Sequence, residues 1–148
     1  MSPFPPGRIV DDMNPTYTAI VTSSGRDSRA ISSDGRLDLE LAMPKEMGGT
    51  GDGTNPEQLL AAGWAACFST VMGLVAERMD LDAKDVAITA EVSLVSTGPG
   101  YTLAAVLRAE LPDHLRGDIG EKLLAATHRA CPYSRATHGN VPVEILVA

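Results

Sequence analysis

The sequence contains little cysteine, few aromatic residues and fewer basic than acidic side chains. Of its 148 residues, two are cysteine, one is tryptophan, and aromatic residues make up 4%. Two cysteines without an export signal argue against a permanent structural disulfide, because cytosolic thiols are kept reduced. Twelve basic residues stand against 19 acidic ones. The resulting net charge of −7 argues against binding to nucleic acid or to a membrane surface.

The N-terminal residues also lack the pattern of a signal peptide. Prolines and acids occupy the positions where an export signal would have a basic and then an apolar region. We therefore expect a weakly ordered tail over residues 1–14 and a cytoplasmic location. The remaining length, residues 15–148, suits a single domain with one substantial core.

No charged residue occurs between Leu59 and Ala76, a stretch long enough to suggest a membrane span. Its alanine and glycine content favours a helix in a core or an interface instead. Thr54 and Glu57 match a capping box at the start of this helix, so Glu57 has a structural explanation as a cap. Small residues such as Gly63 and Gly73 would let another helix pack closely against it. We expect this helix to be the central element of the fold.

Apolar and polar residues alternate on both sides of the central helix, which is the pattern of β-strands. Strands are predicted over residues 16–22, 30–33, 37–42, 86–96, 101–111 and 141–147. Asp34-Gly35 is a hairpin signal between two of them. A second helix is predicted from about Asp118 to Ala130, with a short helical turn after Pro132. This order of elements indicates an α+β fold.

The two cysteines occupy different environments. Cys67 is in the middle of the apolar helix, where burial would raise its pKa unless a cation lies nearby. Cys131 precedes the short helical turn, whose free N–H groups would favour a thiolate, and Cys67 lacks that help. They are 131 − 67 = 64 residues apart, and this spacing does not show that they meet. The cation near Cys67 could come from any of four arginines: Arg26, Arg29, Arg129 or Arg135.

Three runs of sequence resemble the organic hydroperoxide resistance (Ohr) proteins of the OsmC superfamily. They are GTNPEQLLAAGWAACF around Cys67, CPYSRATHGNVPV around Cys131, and SSGRDSRAISSDGRLDLEL near the N-terminus. The similarity extends from about Tyr17 to Val147, and the two cysteine motifs together are specific. It implies an OsmC-like α+β fold of curved antiparallel sheets packed on a long central helix, in an intertwined homodimer.

The resemblance also implies a cysteine-based peroxidase that reduces organic hydroperoxides in defence against oxidative stress. By motif position Cys67 is the peroxidatic thiol and Cys131 the resolving thiol. Arg26 is the arginine that pairs with the thiolate, and Glu57 the carboxylate that holds this arginine. The implied reductant is a dithiol, typically a dihydrolipoyl group on a lipoylated protein. No metal or other cofactor is implied.

Three positions depart from the family pattern. Trp64, Arg135 and His138 stand where the family usually has Tyr, Asn and Arg.

The sequence leaves two alternative functions open. One alternative is a non-enzymatic OsmC-like protein that binds a small lipid-like ligand. The other is a structural Cys2His2 metal site, formed by Cys67 and Cys131 with His128 and His138.

Overall fold

The computed structural model describes Pro3 and residues 9–148, which form two compact units. The first unit ends at Asn55, and the second runs from Pro56 to Ala148. Half of the expected N-terminal tail lies outside the described residues, and Ile9–Asp12 form one helical turn, α1. The assignment of residues 15–148 to a single domain stays a prediction.

The first unit contains a three-stranded antiparallel sheet. Its strands are β1 (Val21–Ser23), β2 (Arg29–Ser32) and β3 (Asp38–Glu40). The predicted turn at Asp34-Gly35 does join β2 to β3, with Gly35 at a φ of 72°. The predicted strand over residues 16–22 is wrong in its first part, because β1 begins only at Val21. The alternating residues before it have no buried face, and Tyr17 is 79% exposed.

The second unit combines three helices with a second sheet. Its elements are α2 (Pro56–Arg78), β4 (Ala87–Thr97), β5 (Gly100–Glu110), α3 (Asp118–Ala130), α4 (Pro132–Thr137) and β6 (Val143–Val147). The sheet order is β4-β5-β6, in which β4 and β5 are antiparallel and β5 and β6 are parallel. The parallel pair departs from the expected antiparallel sheets. It arises because α3 and α4 carry the chain back before β6 begins.

The core of the second unit lies between α2, the sheet and α3. Buried residues recur along one face of α2: Trp64, Phe68, Met72, Val75 and Ala76. They form one cluster with Leu107 of β5 and Leu123 of α3, each 1% exposed or less. Each fully buried large side chain contributes roughly 1.5–3 kcal/mol to folding. The α+β prediction, with a sheet packed on a long central helix, is therefore confirmed.

The central helix is long and apolar enough to cross a membrane, with a mean hydropathy of 1.8 over its best window. Its buried face nevertheless packs into the cluster described above. It is therefore a core helix of the second unit, as predicted. Only 28% of that window is buried, so much of the remaining apolar surface of α2 is exposed on the single chain.

Candidate active site

The structure brings together the two cysteines, which their spacing in the sequence alone could not pair. Their Sγ atoms are 3.8 Å apart, and both are free thiols. This distance is van der Waals contact, whereas a disulfide needs an S–S distance of about 2.05 Å. Cys131 is completely buried and Cys67 is half-buried. A small reactant can therefore reach Cys67 more readily than Cys131.

The break between α3 and α4 positions Cys131. Pro132 disfavours helical geometry in the residue before it, and Cys131 has extended backbone angles, φ −64° and ψ 124°. The Cys131 N–H still donates to the Thr127 carbonyl at the end of α3. Its own carbonyl accepts the Arg135 N–H and so begins α4. Because both backbone groups are bonded, the thiol is held at a fixed corner between two helices.

The short helix α4 supplies a backbone N–H to Cys67. Burial raises the pKa of the Cys67 thiol, as does its contact with Cys131, while a hydrogen bond from the backbone N–H of Tyr133 lowers it. From the sequence, the N-terminus of this helix was expected to favour a thiolate at Cys131 and not at Cys67. That expectation missed Cys67 because the sequence does not show α4 packing against α2. Burial is the largest of these effects, so the pKa of Cys67 remains above its ordinary value.

Trp64 links α2 to the segment that carries Cys131. Its indole N–H donates to Ser134 Oγ over 3.3 Å, and both side chains are buried. Its ring also lies 6.4 Å from the ring of Tyr133, tilted by 34°. Gly63, the residue before Trp64 on α2, lies so close to Tyr133 that an added Cβ would be 2.6 Å from the phenol oxygen. In the sequence, Trp64 stands out only as a departure from a family pattern, and no local signal predicts this contact.

The predicted charged site residues belong to different units. Arg26 lies in the turn between β1 and β2 of the first unit, and Glu57 lies in the first turn of α2 in the second. Both side chains are half-buried. Their roles toward Cys67 stay predictions. Arg29, another candidate cation, pairs with Asp38 and Glu40 across β2 and β3.

The other two candidate arginines line a cavity beside α3 and α4. The cavity, of about 500 Å³, is bounded by His128, Arg129, Ser134, Arg135 and His138. Burial lowers the pKa of His128, with a smaller effect from His138. Polar and cationic residues thus border the cavity, but most of its lining surface comes from apolar atoms.

The alternative of a Cys2His2 metal site is not supported. Among Pro3 and residues 9–148, no three or more His, Cys, Asp or Glu side chains cluster as a metal site requires. The four residues considered for that site are all in this part of the chain.

Comparisons with known proteins agree with this architecture. The OsmC-like protein family matches residues 49–146. An organic hydroperoxide resistance protein of Xanthomonas axonopodis pv. citri is 42% identical over 135 residues, covering 89% of this chain and 94% of the relative. OhrA of Bacillus subtilis is 40% identical over 144 residues, with coverages of 90% and 97%.

Solved structures give the same result. A crystal structure of an organic hydroperoxide resistance protein from Legionella pneumophila superposes with a TM-score of 0.85 at 43% identity, covering 90% of this chain and 98% of that one. OhrB of Bacillus subtilis superposes with a TM-score of 0.80 at 39% identity, covering 89% and 98%. The chain therefore belongs to the OsmC-like family and, within it, to the organic hydroperoxide resistance proteins.

Proposed function

We propose that this protein is a cysteine-based peroxidase that reduces organic hydroperoxides to alcohols. The observation that carries the proposal is the pair of free thiols 3.8 Å apart, one half-buried and the other fully buried. The names of its relatives supply the substrate class. Two thiols of unequal solvent exposure suit a reaction in which the more exposed thiol attacks the substrate and the buried thiol then attacks the oxidised sulfur.

In the first step Cys67 attacks the peroxide because it is the more accessible thiol. Its thiolate forms an S–O bond to one peroxide oxygen while the O–O bond breaks, and the alkoxide leaves as an alcohol after taking a proton. The sulfur is oxidised to a sulfenic acid and the peroxide is reduced. The N–H of Tyr133 stabilises the attacking thiolate, because it lowers the pKa of Cys67.

In the second step Cys131 resolves the sulfenic acid. Its sulfur attacks Cys67 Sγ, the S–O bond breaks, and the departing hydroxide and the thiol proton together form water. The sulfurs must approach by about 1.8 Å to reach disulfide length, which rotation about the side-chain bonds can supply. Burial of Cys131 keeps it from competing for peroxide in the first step.

Arg26 and Glu57 complete the proposed site. A guanidinium within about 4–6 Å of a thiol lowers its pKa by 1–3 units, which would oppose the burial of Cys67. Glu57 would hold Arg26 through paired hydrogen bonds. Glu57 is ten positions before Cys67 on α2, about 15 Å along the axis. The long arginine side chain is what would connect them.

The proposed substrates carry apolar groups, and the proposed reductant is a dithiol. Each methylene buried by an alkyl or lipid hydroperoxide gains roughly 0.8 kcal/mol, which favours these substrates over hydrogen peroxide. A dithiol such as the dihydrolipoyl group of a lipoylated protein would reopen the disulfide by two successive thiol exchanges. We place this cycle in the cytoplasm, in defence against oxidative stress.

A homodimer is also part of the proposal. The exposed side of α2 includes Leu74, which is 53% exposed, and the uncharged Ala66 and Thr70. A second copy packing there would remove apolar surface from water. Sedimentation should give twice the mass of one chain, and Leu74→Asp should shift the population toward monomer. A monomeric wild type would refute this part.

Peroxide consumption tests the function directly. With dihydrolipoamide as reductant, the protein should consume cumene hydroperoxide faster than hydrogen peroxide, and Cys67→Ser should lower that rate by roughly a hundredfold or more. Unchanged turnover in Cys67→Ser would remove this thiol from the mechanism. No turnover by the wild type, together with tight binding of the alkyl compound, would instead support a ligand-binding protein.

A further inference from the structure

Trp64 sits where it can control how the two thiols face each other. It lies three residues before Cys67 on α2, and its indole N–H bonds to Ser134, three residues after Cys131. The hydrogen bond therefore connects α2 with the same segment, at the start of α4, that carries Cys131. Both of its partners are buried, Trp64 at 1% and Ser134 at 2% exposure. Water cannot easily replace either group as a partner.

We propose that Trp64 is a positioning residue for the thiol pair, holding the segment of Cys131 against α2 through its hydrogen bond to Ser134. The inference rests on the proposed function of the two thiols. Disulfide formation requires Cys131 Sγ to approach Cys67 Sγ in line with the breaking S–O bond. A segment already fixed to α2 loses less conformational freedom on reaching that geometry.

Three other observations agree with a fixed segment. The Trp64 and Tyr133 rings are neighbours, with centroids 6.4 Å apart. The backbone N–H of Tyr133 is near enough to Cys67 to lower the pKa of its thiol. Gly63 leaves space for the phenol of Tyr133 that no larger residue would leave. The side chains of residues 133 and 134 are thus both held by adjacent positions on α2.

The alternative role for Trp64 is simple filling of the core, because it belongs to the main hydrophobic cluster. A core residue affects stability without selectively affecting the thiol pair. The two roles differ in their effect on the effective concentration of the two thiols. The effective concentration is obtained from the equilibrium constant for exchange between the Cys67–Cys131 disulfide and glutathione. No peroxide is used in this measurement, so the result does not depend on whether the protein is a peroxidase.

The test compares Trp64→Phe, Ser134→Ala and the double variant with wild type. Each protein is equilibrated in a glutathione redox buffer, and the disulfide fraction is measured by thiol trapping. The control is Thr137→Val on the same helix, since the Thr137 hydroxyl donates to carbonyls of α4 and, among the described residues, has no hydrogen bond to α2. Thermal unfolding of each reduced variant verifies that it is folded.

We expect each single variant to lower the effective concentration about two- to tenfold, the range that one net hydrogen bond covers. The effective concentration in the double variant should be no lower than in the more strongly affected single variant, because both substitutions remove the same hydrogen bond. Thr137→Val should match wild type. Single variants that match wild type, a double variant that multiplies the two losses, or an equal loss in Thr137→Val would each overturn the proposal. Ser134→Ala decides the matter if Trp64→Phe does not fold.

Discussion

Gly63→Ala tests how closely α4 must pack against α2. A Cβ at Gly63 would lie 2.6 Å from the phenol oxygen of Tyr133, 3.2 Å from Cζ and 3.5 Å from Cε1. Ordinary contact begins at 3.4 Å, so the phenol must move by about 3.4 − 2.6 = 0.8 Å. The phenol is the end of a flexible, 36% exposed side chain, so it can move at moderate cost. The substitution should therefore disturb α4 without preventing folding.

The matched control is Gly73→Ala on the same helix, where an added Cβ meets no heavy atom within 4 Å. Alanine in place of glycine stabilises a helix interior by about 0.8–1.0 kcal/mol, so Gly73→Ala should raise Tm by about 2–4 °C. Gly63→Ala gains the same propensity, but overpacking costs typically 1–3 kcal/mol. Its free energy of unfolding should therefore be about 1–3 kcal/mol below that of Gly73→Ala.

Denaturant unfolding of the reduced proteins measures this difference, with sedimentation to show that the two variants have the same oligomeric state. Removing the displaced hydroxyl should recover much of the loss, so Gly63→Ala combined with Tyr133→Phe should be more stable than Gly63→Ala alone. Disulfide formation after one equivalent of peroxide should also slow in Gly63→Ala and remain unchanged in Gly73→Ala. Equal stabilities for the two alanine variants, with no effect of Tyr133→Phe, would refute the close packing.

Three further predictions concern individual groups. Cys131→Ser treated with one equivalent of peroxide should accumulate a sulfenic acid at Cys67, detected by dimedone and mass spectrometry. If the sulfenic acid disappears rapidly even when Cys131→Ser is combined with the monomer-favouring Leu74→Asp, Cys131 is excluded as the resolving thiol. Arg26→Ala should lower the rate of thiol alkylation at neutral pH by roughly ten- to thousandfold, with Arg26→Lys intermediate, because less thiolate remains; an unchanged rate would contradict the assignment of charge. The lowered pKa of His128 means that the folded state binds its proton less tightly than the unfolded state, so this group's contribution to stability is present above the ordinary histidine pKa of 6.5 and is lost as pH falls. His128→Gln should therefore lose less stability than wild type between neutral and mildly acidic pH, measured by denaturant unfolding, and equal losses would contradict this reasoning.

Local sequence patterns predicted most elements of the second unit. The second helix was expected from about Asp118 to Ala130 and has those bounds. Strict alternation located β4 and β5, and the glycine at position 98, with a φ of 62°, lies in the turn between them. These features depend on residues near each other in sequence. Alternation over residues 16–20 failed because a strand also needs a neighbour with which to pair and a face to bury.

The site depends on contacts that local patterns do not contain. Cys67 and Cys131 are 64 residues apart, and Trp64 and Ser134 are 70 residues apart. The small size of Gly63 did signal close packing, but it did not identify α4 as the neighbour. For the same reason, the sequence showed that a short helix begins after Cys131 without showing that the backbone N–H of Tyr133 affects Cys67.

The electrostatics of Cys67 explain why one helix cannot make the site by itself. Burial in the core that stabilises α2 also raises the pKa of the thiol, so the packing that fixes its position opposes its reactivity. One N–H from Tyr133 offsets part of this effect, and holding that N–H in place requires the close contact of α4 with α2. The remaining stabilisation of the thiolate calls for a full positive charge, which is the role proposed for Arg26. Loss of Arg26 should therefore act through the pKa of Cys67, whereas loss of the Trp64–Ser134 bond should act mainly through the meeting of the two sulfurs.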